Sequence, residues 1–177
     1  MFDSVFGLPL HPLVVHATVV VVPSAAVAVA LAAVWPRFRA WAGFMPLGLA
    51  AAAIVLVPIT TSSGESLEHS VVETALVREH TQMAEGLLPW VLLLGVAAAG
   101  LFAVRLSEHQ SSSPVEQSAD AEGRLARLRS RFVASPPPRF AVMALVVVAL
   151  VASIGTTVQV VRIGHSGARA SWSQARP

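Results

Sequence analysis

Six histidines, His11, His16, His69, His80, His109 and His165, are the residues of this chain best suited to chemistry. A neutral imidazole offers one nitrogen lone pair to a metal or haem iron and one N–H to an acceptor. The first two sit in Leu8-Pro9-Leu10-His11-Pro12-Leu13-Val14-Val15-His16, where Pro12 suits a first helical turn because its missing N–H would be unpaired there anyway. About one turn further in, an imidazole without a partner would lose water contacts worth a few kcal/mol, so His16 is expected to face other helices and bond something. His11 precedes a proline and is expected in extended chain at the surface, which ranks it below His16 as a ligand.

The segment Thr60-Thr61-Ser62-Ser63-Gly64-Glu65-Ser66-Leu67-Glu68-His69-Ser70-Val71-Val72-Glu73 opens with hydroxyls fit to cap a helix and continues with acids. A helix here would carry Glu65, His69, Glu73, Leu76 and His80 along one stripe. Glu and His four residues apart lean to the same side and can chelate a divalent ion. Copper or zinc held by Glu65, Glu68, His69 and His80, with His11 as an auxiliary position, is therefore one reading. His80 shares a face with Met83, Ala84 and Leu87 and should point toward a bundle axis. His165 lies in Arg162-Ile163-Gly164-His165-Ser166-Gly167, flanked by glycines that let a bulky group approach. His16, His80 and His165 are thus expected to converge. Two imidazoles facing each other across a helix bundle can hold a b-type haem, with Arg78, Arg162, Thr60 and Thr61 at the same level for its propionates.

The elements that must position these groups are membrane spans. The chain has 177 residues, 55% hydrophobic and 12% charged, with a mean hydropathy of +0.69, which excludes an ordinary water-soluble domain. Four uncharged stretches, about 13–35, 41–59, 87–104 and 140–161, are each long enough for a hydrocarbon core of roughly 30 Å. The expected fold is all-α, a four-helix transmembrane bundle with a short outer helix between spans two and three. The N-terminus lacks a secretory signal's positive region, and the first span exceeds a signal's apolar core, so it is kept as a permanent helix. All 12 basic residues are arginine. Arg37, Arg39, Arg105, Arg124, Arg127, Arg129, Arg131 and Arg139 fall in the first and third loops, so the positive-inside bias places both termini outside the cytoplasm. Five histidines then lie near the outer face and only His109 near the inner one.

Pro23 and Pro46 are expected to kink spans one and two. The pairs Ala26 and Ala30, Gly48 and Ala52, and Gly95 and Ala99 would let helices approach closely. The loop 107–138 is expected to be flexible at first and basic later, where Leu125, Leu128 and Phe132 share the apolar face of an interfacial helix. No cysteine is present, which excludes disulfides, thiolate sites and covalent haem. The chain has no Ser-His-Asp arrangement, phosphate-cradling glycine loop or carboxylate within a span, which argues against a hydrolase, an ATPase or an acidic proton relay.

The HPLVVH opening of span one, the Gly64 turn, His80 before span three and VRIGHSG after span four resemble a family of bacterial four-helix membrane proteins. That family is the domain of unknown function numbered twenty-two thirty-one. The resemblance covers about residues 8 to 168 apart from the inner loop, which is longer here. In helix layout and in histidines at helix ends it is similar to the membrane di-haem b-type cytochromes. That similarity implies His16, His80 and His165 as cofactor ligands. It departs from the cytochromes in having its histidines on one side. The leading expectation is one b-type haem near the outer face that passes electrons to a membrane redox or respiratory partner and catalyses no reaction itself. The other readings are a copper or zinc handling protein and a cofactor-free accessory subunit or homo-oligomer packing through small-residue faces. The resemblance implies a bacterial plasma (inner) membrane; the bilayer is the expected partner, and nucleic acid is not.

Overall fold

The computed structural model describes residues 4–5, 8–68, 74–112 and 138–174. After a two-residue antiparallel pairing of β1 (Ser4–Val5) with β2 (Leu8–Pro9), the described elements are all helices: α1 (Leu10–Val34), α2 (Pro36–Ala42), α3 (Met45–Glu68), α4 (Ala75–Glu85), α5 (Leu87–Ser112) and α6 (Arg139–Gln174). Four stretches, His11–Val34, Met45–Ser66, Ala75–His109 and Arg139–Trp172, are long and apolar enough to cross a membrane. They form a ring in the order α1, α3, α5, α6, each packing on its neighbours, while the diagonal pair α1 and α5 touches far less. Val20, Val27 and Val34 on α1 and Val147, Val151, Ile154, Val158 and Val161 on α6 are exposed. Apolar surface continued along whole helices in this way is covered by lipid chains.

The breaks between helices have local causes. Trp35 adopts an extended backbone with Pro36 in the first turn of α2, so the chain leaves α1 after Val34. The carbonyls orphaned at the end of α1 are taken up nearby. The Trp35 N–H donates to the Leu31 carbonyl at 2.8 Å, and Arg39 donates from one guanidinium nitrogen to Ala32 O at 2.9 Å and from another to Glu108 Oε1 of α5 at 2.7 Å. Arg39 is only 6% exposed. Gly43, at φ +63°, then ends α2. The second span expected from about Trp41 is therefore divided. Trp41 belongs to the short α2, and Pro46 falls in the first turn of α3, where it removes no helical bond, so no kink is expected there. The prolines within long helices are Pro23 and Pro58. Between α4 and α5, Pro89 accounts for the interruption at Gly86, because its ring crowds the carbonyl four residues earlier. The Gln159 amide of α6 donates to the carbonyl of Met83 at 2.7 Å and holds that junction to the bundle.

The core is built from small residues in contact. Ala25, Ala26, Ala50, Ala53, Ala97, Ala149 and Ala152 are at most 1% exposed, and Val22, Val29, Val91 and Leu94 fill the space between them. Of the expected small pairs, Ala26 is buried in this core, whereas Gly48 and Ala99 are exposed. Close approach is concentrated where a large side chain lies on a glycine. An added Cβ on Gly155 would fall 2.1 Å from the Trp90 ring, and one on Gly95 would fall 2.5 Å from Ile54. In an apolar solvent such contacts, and not exclusion from water, bring helices together.

Candidate functional site

The start of α1, the end of α3, α4 with the start of α5, and the last turns of α6 meet at one end of the bundle around a cavity of about 560 Å³. That size lies in the range of roughly 300–1,000 Å³ typical of cofactor and small-molecule sites. Its walls are largely apolar, and His11, His16 and His80 line it together with the hydroxyls of Thr18, Thr60, Thr61, Thr81 and Ser171.

His11 and His80 are held in matching ways. His11 Nδ1 lies 3.1 Å from Ser63 Oγ at the end of α3, and His80 Nδ1 lies 3.0 Å from Ser166 Oγ at the end of α6. Each serine donates its hydroxyl proton to a carbonyl of its own helix, Thr60 O at 2.9 Å for Ser63 and Ile163 O at 2.9 Å for Ser166. A hydroxyl has one proton, so toward the imidazole each serine can only accept. With the serine proton on the carbonyl, the matching arrangement is an Nδ1–H imidazole in both rings, which would leave a lone pair on each Nε2. The next residue in each case is a glycine under the ring. A Cβ on Gly64 would lie 3.0 Å from His11 Cε1, and one on Gly167 would lie 3.0 Å from His80 Cε1. Only a residue without a side chain leaves the ring where it is.

His16 also lines the cavity but is exposed, and its Nδ1 donates to the carbonyl of Pro12 within its own helix. The order of His16 over His11 expected from sequence is thus reversed in burial and tethering. α1 already begins at Leu10, so His11 is helical despite preceding a proline and is carried inward to Ser63. His165 is exposed and is not among the lining residues, whereas its neighbours Gly164 and Gly167 are. The expected trio of His16, His80 and His165 is replaced at the cavity by His11, His16 and His80. Arg78 and Arg162 are exposed and outside the lining, while Thr60 and Thr61 are part of it.

A continuous helix from Glu65 to His80 is interrupted at Thr74, whose extended backbone starts a separate α4 and whose side chain accepts from Val77 N at 3.3 Å. Thr60, Thr61 and Ser63 are therefore not caps. They lie inside α3 and bond its own carbonyls. Glu65 is exposed at the cavity mouth; the side chain of Glu68 and all of His69 lie outside the described residues, as do Leu125, Leu128 and Phe132. His109 is in the last turn of α5, at the other end of the bundle. Among the described residues no three His, Asp or Glu side chains gather as a metal site. Ser63 and Ser166 were missed by sequence reasoning, although a Ser-Gly step closing both the second and the fourth span was there to be noticed.

Four lipid-length helices with a largely apolar, histidine-lined cavity at one end define a multi-pass membrane protein of the helical-bundle class. The chain belongs to the family described as Predicted membrane protein (DUF2231), whose profile matches residues 7–175. Searches of curated proteins and of solved structures found no match.

Proposed function

We propose that the cavity holds one b-type haem between His11 and His80 and that the protein carries electrons in the membrane. The observation that carries this reading is the pair of imidazoles lining one apolar cavity, each held through Nδ1 by a serine hydroxyl so that Nε2 is the nitrogen left for a ligand. A histidine ligand in a metalloprotein donates its other N–H to a fixed acceptor, which sets ring orientation and raises basicity. Both rings meet that condition. A haem bound there would supply reversible one-electron transfer, and the chain's own part is to present two donors and an apolar wall. The lining contains no arginine among the described residues, so the acidic arms of the macrocycle would meet Thr61, Thr81 and Ser171 or the open side of the cavity.

The same reading places the cavity on the extracytoplasmic side of a bacterial plasma membrane, with both termini there, because Arg37, Arg39 and Arg105 lie at the opposite end. A carrier so placed requires a membrane redox partner. The test is direct. Protein expressed with haem supplementation and purified in detergent should show a Soret band that His11→Ala or His80→Ala abolishes and His109→Ala retains. A wild-type sample without Soret absorption would overturn the proposal.

A further inference from the structure

The cavity matches itself. His11, Val15 and Thr18 line it from α1, and His80, Ala84 and Leu87 line it from α4 and the first residue of α5 with the same four-then-three spacing. Val57, Thr60 and Gly64 line it from α3, and Val160, Ile163 and Gly167 line it from α6 with the same three-then-four spacing. The tethers agree to within about 0.1 Å, at 3.1 and 3.0 Å from imidazole to serine and 2.9 Å from each serine to its carbonyl. The hypothetical Cβ positions agree as well, at 3.0 Å from Cε1 in both halves and at 3.4 and 3.3 Å from Nδ1. In the ring of helices α1 stands diagonal to α5, and α3 to α6, as a two-fold axis along the bundle requires. A parallel repeat about an axis normal to the membrane is a known way to build such a site at the interface of two halves. Of the six matched wall pairs, His11 and His80, Val57 and Val160, and Gly64 and Gly167 are identical, whereas Val15 and Ala84, Thr18 and Leu87, and Thr60 and Ile163 differ. The two halves share the histidine, the serine, the glycine and one valine.

We infer that the cavity is one half-site used twice, with Ser63 and Ser166 as equivalent positioning residues that hold His11 and His80 as Nδ1–H tautomers and present both Nε2 atoms to one guest on the axis. His11 and His80 would hold a guest able to take two equivalent nitrogen donors, as a haem would. An ion needing four convergent ligands is not matched by two. The inference concerns the same cavity as the proposed function and rests on that reading only for its redox consequence. An Nδ1–H bonded to a serine oxygen gives the imidazole more electron density to donate, which favours the oxidised state of a bound iron. Removing either hydroxyl should therefore raise the midpoint potential by a similar amount, and removing both should add the two shifts.

The experiment uses full-length protein with 15N-labelled histidine in detergent micelles at mildly alkaline pH, without added haem, and then the haem-loaded protein. Nitrogen shifts should place the proton on Nδ1 of both His11 and His80. Ser63→Ala should move only the His11 signals toward the Nε2–H form and Ser166→Ala only those of His80, with Ser63→Thr and Ser166→Thr restoring the wild-type tautomer. An Nε2–H proton at either ring in the wild type, or a Ser→Ala variant that leaves its histidine unchanged, overturns the inference. Midpoint potentials that shift for one serine and not the other overturn the equivalence. If wild-type protein takes up no haem, the proposed function fails alone and the tautomers decide this inference.

Discussion

Gly167→Ala and Gly164→Ala isolate the contact beneath His80, because the two glycines lie one turn apart on α6 and differ in what a methyl group would meet. At Gly167 the new Cβ would stand 3.0 Å from His80 Cε1 and 3.3 Å from Nδ1, whereas at Gly164 nothing lies within 4 Å. Nonbonded carbons are most favourable at about 3.5–4.0 Å, so the ring must retreat by roughly 0.5 Å. The His80 Nδ1 to Ser166 Oγ bond, now 3.0 Å, is taken to the outer edge of hydrogen-bonding distance by a movement of that size. Its loss costs about 0.5–1.5 kcal/mol. Both variants gain about 0.5–1 kcal/mol from replacing a helical glycine by alanine. Gly164→Ala should therefore stabilise the protein by about 0.5–1 kcal/mol while Gly167→Ala comes out near zero, a difference of about 1 kcal/mol. Equilibrium unfolding in detergent, read by helical circular dichroism, measures this difference. Equal stabilisation by the two substitutions, with the His80 nitrogen signals unmoved, would refute the account of the glycine as the floor of the imidazole. The corresponding variant Gly64→Ala should act on His11 in the same way, since its Cβ would also stand 3.0 Å from Cε1.

Other outcomes follow from the packing. Gly155→Ala places a Cβ 2.1 Å from the Trp90 ring, and the forced separation of α5 from α6 should cost about 1–3 kcal/mol, seen as a lower melting temperature in detergent. Arg39→Ala removes both the donor to Ala32 O and the partner of Glu108 and should cost about 1.5–3 kcal/mol. Glu108→Gln should cost less because Arg39 keeps its carbonyl. If the glutamine variant were the more damaging, the end of α1 would not be what Arg39 secures. The absence of native cysteine gives a clean background for topology. Ser62→Cys, at the cavity end, should react with a membrane-impermeant maleimide on intact cells, and Ala40→Cys at the other end only after permeabilisation. The opposite pattern would reverse the orientation.

The sequence by itself determined that this is a four-helix membrane protein and that most of its histidines gather toward one end of the helices. Apolar length is a local property, and in lipid a spanning segment has no alternative but to satisfy its backbone as a helix. Pro12 pointed to a helix start close to Leu10, but Pro46, read as a kink inside span two, instead opens α3 at Met45, and the separate α2 depends on Pro36 together with the positive φ of Gly43. What only the tertiary structure decided is which ring faces which neighbour. Each residue turns a helix by about 100°, so a shift of one position moves a side chain from cavity to surface. That is why Ser166 reaches His80 while His165 is exposed, and why the tether of His11 is Ser63, distant in sequence. Equivalence of the two halves is likewise a property of distances between helices. Residues as unlike as Thr60 and Ile163 share a role through their backbone carbonyls, which no side-chain pattern records.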